Sequence, residues 1–183
     1  FERRGPIMPP ENKDAALFPH RVGGRWALIH RPVPSGSKAN IWLSFSPDLK
    51  HWGDHMMLIE TREGLAWDAK KIGLSPPPIE TSEGWLLVYH GVRDTPSGGI
   101  YRIGLALLDL EDPRKVICRN DNWAFGPNEP YECVGDIPNV VFSCGAVVDR
   151  DWDILCLYYG AADKCIGLAT ANICELLDWV KTG

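Results

Sequence analysis

Three cationic side chains stand where apolar runs meet loops. Arg31 closes the run Trp26-Ala27-Leu28-Ile29-His30 and is fixed by Pro32, Lys71 opens Lys71-Ile72-Gly73-Leu74, and His90 closes Trp85-Leu86-Leu87-Val88-Tyr89. A carboxylate, Asp163, follows Tyr158-Tyr159-Gly160-Ala161-Ala162. Taken singly, each has a plain structural reading: solvated strand ends for Arg31 and Lys71, a core hydrogen bond for His90, a turn cap for Asp163. Taken together, three cations and a carboxylate beside recurring segments are poorly explained as solvated decoration, because the chain is acidic overall. Like charges brought together repel by about 3 kcal/mol at 6 Å in a medium of effective dielectric near 20, so such a cluster persists where an anion relieves it.

Whether these residues converge depends on the elements that carry them, and the elements repeat. A Trp-led apolar run occurs three times, at Trp26-Ala-Leu-Ile-His30-Arg31, Trp85-Leu-Leu-Val-Tyr89-His90-Gly91 and Trp152-Asp-Ile-Leu-Cys-Leu-Tyr158-Tyr159-Gly160. Each follows a turn, Gly23-Gly24-Arg25, Ser82-Glu83-Gly84 or Asp149-Arg150-Asp151, which marks a hairpin. The preceding strands are expected at Ala15 to Val22, Pro78 to Thr81 and Val140 to Val148. A further strand begins at Ile41-Trp-Leu-Ser, Ile103-Gly-Leu-Ala and Ile166-Gly-Leu-Ala. The chain is therefore read as all-β: three β-propeller blades in one partial propeller over 1–183, with repeat units at approximately 1–64, 65–126 and 127–183. A β-sandwich of about nine strands is the competing architecture. Propeller rings take roughly four to eight blades, so an open arc leaves apolar faces bare. The expectation is that further blades precede Phe1, or that copies associate as a homo-oligomer. Ile173 to Val180 reads as a short amphipathic helix that could cover one face.

Composition narrows the partners. With 19 basic and 24 acidic residues the net charge is −5, the wrong sign for a nucleic-acid binder. No apolar stretch reaches the roughly eighteen residues of a membrane span. The six cysteines lack a C-x-x-C pair and are expected as free thiols, which fits a reducing, cytoplasmic location. His51 and His55 stand four apart, a metal spacing on a helix, but Gly53 and the Ser46-Pro47-Asp48 turn argue for a loop, so no metal site is expected. The start at Phe1 is neither an initiator methionine nor a signal peptide, which suggests that the natural start lies upstream.

Several stretches, in order, resemble glycoside hydrolase family 130, the β-mannoside phosphorylases and related mannosidases. They are Asn12-Lys13-Asp14-Ala15-Ala16-Leu17-Phe18-Pro19, Trp67-Asp68 with Lys71-Ile72-Gly73, Gly84-Trp85-Leu86-Leu87 with Tyr89-His90-Gly91-Val92, Tyr101-Arg102, Val140-Val141-Phe142 and Tyr158 to Asp163. The resemblance implies the C-terminal three blades of a five-bladed propeller with its active site in the central channel. It further implies an inverting phosphorylase: inorganic phosphate, a co-substrate rather than a cofactor, attacks a mannosyl anomeric carbon while an aspartic acid protonates the leaving oxygen. Lys13, Arg31, Lys71, His90 and Tyr101 match the phosphate-binding positions, with Lys13 in place of the arginine of some relatives. Asp163 matches the carboxylate that binds mannosyl hydroxyls. The family's general acid is expected upstream of Phe1, so this chain by itself is expected to be inactive. Two departures from the family pattern are Ser75, where a second glycine is frequent, and Lys164, where a small residue is usual. The alternatives are an inverting β-mannosidase of the same family, which would need no cation cluster, and a non-catalytic sugar-binding segment.

Overall fold

The computed structural model describes residues 1–33, 36 and 38–183. The first sheet contains β1 (Asn12–Leu17), β2 (Trp26–Pro32), β3 (Ile41–Ser46) and β4 (Gly53–Ile59), antiparallel and in that order. Gly23 and Gly24 turn the chain into β2 with φ of 57° and 80°, a region glycine enters freely. β1 begins and ends earlier than the Ala15 to Val22 expected. Proline at 19 offers no N–H to a ladder, and Val22 only bridges Arg25 within the turn.

The second sheet holds β5 (Lys71–Leu74), β6 (Ile79–Thr81), β7 (Gly84–Thr95), β8 (Gly98–Leu108) and β9 (Val116–Arg119). Pro76-Pro77-Pro78 divides what would be one long edge strand, so both β5 and β6 pair with β7. The expected strand at Pro78 to Thr81 is thus only one half of that edge. β7 and β8 form a long hairpin from Trp85↔Leu108 to Thr95↔Gly98, which places Ile103 in mid-strand rather than at a strand start. A short helix, α1 (Pro130–Cys133), leads into the third sheet of β10 (Val141–Asp149), β11 (Ile154–Ala161) and β12 (Cys165–Asn172), followed by α2 (Ile173–Lys181). The turn into β11 runs through Asp153, at φ 51°, so Trp152 lies in the turn, 76% exposed, and does not lead the strand.

The sheets are stacked in sequence order. Alternate residues of β7 serve different cores: Trp85, Leu87 and Tyr89 join Phe18, Ile29, Ile41 and Leu43 of the first sheet, while Leu86 and Val88 join Val141, Leu155 and Leu157 of the third. That is why β7 is apolar on both faces. A two-sheet sandwich would not bury a middle layer this way. Parallel bridges Ala39↔Lys71 and Tyr101↔Val140 tie each sheet to the next.

α2 begins at Asn172, whose side chain accepts from the backbone N–H of Cys174 and Glu175 at 2.9 and 3.3 Å. Its apolar stripe, Ile173, Leu177 and Val180, packs into the seam between the second and third sheets. The helix therefore does not cover the open face expected of it. The far face of the third sheet leaves Val147, Tyr158, Ile166 and Leu168 exposed. All six cysteines are unpaired, and no helix among the described residues is long and apolar enough to cross a membrane.

Candidate functional site

Strand pairing places Arg31 of β2 opposite Lys13 of β1, His90 of β7 opposite Gly73 of β5, and Val92 between Lys71 and Tyr101. Arg31 Nη1 donates to His90 Nε2 at 3.2 Å, and both side chains are buried. Lys71 Nζ lies 5.0 Å from the centroid of the Tyr101 ring, which stacks at 6.1 Å on the His90 ring. Phe142 of β10 packs on His90 at 4.6 Å from the third sheet. Residues of all three sheets thus meet at His90.

Burial pushes the His90 imidazole below its ordinary pKa; Asp14 opposes this, and Arg31 and Lys71 add to it. A neutral ring whose Nε2 accepts from Arg31 carries its proton on Nδ1. That Nδ1, like Arg31 Nε, is buried and without a protein partner. Two donors therefore remain unsatisfied in the middle of the cluster.

Asp14 was not singled out in the sequence as a member of this cluster. Its Oδ2 lies 2.5 Å from Arg31 Nη1 and 3.4 Å from His90 Nε2. Burial would raise its pKa, but the adjacent His90 imidazole, then the charges of Arg31 and Lys13, outweigh this and hold it below the usual value. Strict alternation would turn Asp14 away from the face that carries Lys13. A register shift between Lys13 and Ala16, with Asp14 at φ 52°, brings it round. Nothing in Lys-Asp-Ala announces that bulge. Gly73 is the second omission: a Cβ there would lie 2.3 Å from Asp14 Oδ2, 2.7 Å from His90 Cε1 and 2.9 Å from Arg31 Nη1.

Lys13 itself is exposed and near enough to bias the Asp14 carboxyl. Asp163 stands apart from the cations, in the hairpin turn between β11 and β12, with φ of 48° and 53° at Ala162 and Asp163. It shares with Tyr101, Phe142, Val140, Ile137 and Gly160 the lining of a cavity of about 260 Å³. The cation cluster and Asp163 are thus linked through the Tyr101–Phe142 wall. Lys164 is exposed. His51 and His55 turn to separate partners, Asp48 and Ser44, at 2.7 Å each.

Two buried networks support this arrangement. Asp68, fully buried, contacts Arg62 at 2.6 Å and Arg119 at 2.5 Å, and accepts from the Tyr89 hydroxyl at 3.3 Å. Trp67 and Asp68 fill the space beside Gly91, where a Cβ would meet each at 2.4 Å, so both neighbours of His90 are locked. On the other side, Glu132 accepts from Asn128 N, Glu129 N and the Tyr159 hydroxyl at 2.8, 2.9 and 2.7 Å. This pins the segment from Asn128 to Asn139 beside Ala162, whose carbonyl accepts from Ile137 N at 3.2 Å.

Comparison with known proteins identifies the family and the fold. Residues 1–182 match the model of glycoside hydrolase family 130, described as beta-1,4-mannooligosaccharide phosphorylase. The chain is 40% identical over 175 residues to a beta-1,4-mannooligosaccharide phosphorylase of Ruminococcus albus, covering 94% of this chain and 52% of that protein. It is 43% identical over 176 residues to a 1,2-beta-oligomannan phosphorylase of a Thermoanaerobacter species, covering 96% of this chain and 56% of the relative. A solved beta-1,2-mannobiose phosphorylase of Listeria innocua, in complex with beta-1,2-mannobiose, superposes with a TM-score of 0.90 at 39% identity, over 98% of this chain and 49% of that one. The chain spans about half the length of these relatives. Its three sheets are three blades of a β-propeller, and the chain belongs to glycoside hydrolase family 130.

Proposed function

We propose that this chain carries the phosphate-holding side of an inverting β-mannoside phosphorylase, one part of a five-bladed ring. The observation that carries the reading is the convergence of Arg31, His90 and Lys71 beside a cavity bounded by Asp163. In phosphorolysis an orthophosphate oxygen attacks the anomeric carbon, the glycosidic C–O bond breaks, and a carboxylic acid protonates the departing oxygen. The nucleophile arrives as an anion, so the second carboxylate that activates water in an inverting hydrolase is not needed. What is needed is a set of donors that holds the anion in line. A guanidinium and an imidazole N–H do this through charge-assisted bonds of about 1.5–3 kcal/mol each.

Lys13 and Lys71 supply further positive charge at the rim, and the Tyr101 ring steadies Lys71. Asp163 accepts from mannosyl hydroxyls, a positioning role. The proton donor comes from outside these 183 residues, so the chain alone turns over no β-mannoside. The remainder of the ring covers Val147, Tyr158, Ile166 and Leu168, and without it this face drives self-association into a homo-oligomer. Six unpaired cysteines support a cytoplasmic setting.

The test is phosphate dependence. The complete polypeptide should consume a β-mannoside only when orthophosphate is supplied, releasing a mannosyl phosphate. Equal consumption without orthophosphate, releasing free mannose, would make it a hydrolase and leave the cations without a role.

A further inference from the structure

Asp14 is a carboxylate lodged among cations arranged for an anion. It touches the two buried members, Arg31 Nη1 at 2.5 Å and His90 Nε2 at 3.4 Å. Two features of the backbone seat it there. Its own φ of 52° and the register break between Lys13 and Ala16 turn it inward, and the bare α-carbon of Gly73 leaves room for its Oδ2. Left-handed backbone at a residue other than glycine is uncommon and gathers at functional sites.

The Asp14–Arg31 contact is close but unaligned, since Oδ2 is left without a hydrogen-bond partner while Arg31 Nη1 is directed at His90. An ion pair of this kind is Coulombic, without the directional bonds of a bidentate carboxylate–guanidinium pair. It is suited to exchange for an anion that satisfies the donors better. Arg31 Nε and His90 Nδ1, buried and unpartnered, are donors such an anion could reach if the site opens slightly around it.

We infer that Asp14 is a resident counter-ion, held against Arg31 and His90 while the site is empty, with which phosphate competes on binding. The inference rests on the phosphate reading given above. Facing Asp14 are Lys13 on its own strand, Arg31 on β2 and the His90 ring on β7, and Lys71 on β5 acts on the same ring. Three permanent cations less one carboxylate, with His90 neutral, leave two positive charges, the complement of hydrogen phosphate. The carboxylate relieves repulsion between the cations in the empty site and weakens the hold on the anion, which favours release.

Calorimetric titration of the complete polypeptide with orthophosphate and with sulfate, at pH 7.5, decides the matter for the native sequence, Asp14→Asn and Arg31→Ala. Asparagine keeps the size and an acceptor oxygen but removes the charge. Asp14→Asn should bind both anions at least tenfold more tightly than the native chain, and Arg31→Ala should lose both. Unchanged or weaker binding by Asp14→Asn, with loss in Arg31→Ala, makes Asp14 an orienting support and overturns the inference while the phosphate site stands. Binding undiminished by Arg31→Ala, or none by either the native chain or Asp14→Asn, overturns the site and the inference together. Should Asp14→Asn not fold, a sulfate-soaked crystal of the complete native polypeptide answers in its place. With sulfate bound, Asp14 should have withdrawn from contact with Arg31, and a persisting 2.5 Å contact overturns the inference.

Discussion

Gly73 lies directly opposite His90 in the β5–β7 pair, and no side chain fits between that α-carbon and the imidazole. Gly73→Ala should therefore displace His90, Asp14 and Arg31 together. Overpacking of this kind costs about 1–3 kcal/mol. Urea denaturation should show that loss, and anion titration a drop in affinity of about tenfold for each 1.4 kcal/mol of disturbed contact. Native affinity in Gly73→Ala would mean that the site adapts freely.

Asp68 serves stability through Arg62, Arg119 and Tyr89. Removing its carboxylate leaves Arg62 and Arg119 facing each other with no anion between them. Asp68→Ala should cost about 3–5 kcal/mol in unfolding free energy, the usual penalty for breaking a buried pair from one side. A denaturation midpoint near that of the native chain would contradict this.

His30 makes stability depend on pH. Burial, then the nearby His55, pushes its pKa from 6.5 down to about 4. Its ring is held by Ser44 at 2.7 Å and Asn12 at 3.1 Å. Below about pH 4 both states bind the proton and the folded state carries the full cost; between 4 and 6.5 only the unfolded state does. Stability should therefore rise with pH across that window and level off above it, by about 3 kcal/mol from this group. Urea midpoints measured from pH 4 to 7 should show the slope in the native chain and a flatter one in His30→Gln. Equal slopes would assign the acid sensitivity elsewhere.

Glu132→Gln tests the latch on the segment from Asn128 to Asn139. The carboxylate holds three donors, and loss of a charged, buried acceptor costs about 1.5–3 kcal/mol. Hydrogen exchange at the Ile137 and Ala162 amides should accelerate, while amides in β2 and β3 keep their protection. Unchanged exchange at Ile137 would place the anchoring of this segment in other contacts.

Much of the fold could be read from the chain because its signals are periodic. The Trp-led runs, the turns before them and the helix after Asn172 are repeating or capping patterns, and β7 shows its central place by being apolar on both faces. The errors fall where one residue overrides the period. Asp153 lengthens a turn and removes Trp152 from its strand, three prolines split an edge into β5 and β6, and α2 settles in a seam that its amphipathic pattern alone does not specify. In the site, Arg31, Lys71, His90 and Asp163 stood out by type and position, and Tyr101 through the family resemblance. Asp14 and Gly73 did not, because a bulge and a missing side chain are properties of the backbone around them.

The most direct test of the central claim is steady-state kinetics of Arg31→Ala in the complete polypeptide, with orthophosphate and a β-mannoside varied in turn. Arg31 is read as a phosphate ligand that does not touch the sugar. The account predicts a KM for phosphate raised about 100-fold, equivalent to losing about 2.7 kcal/mol, with the KM for the mannoside changed less than threefold. A rise in the mannoside KM with phosphate use intact would contradict it.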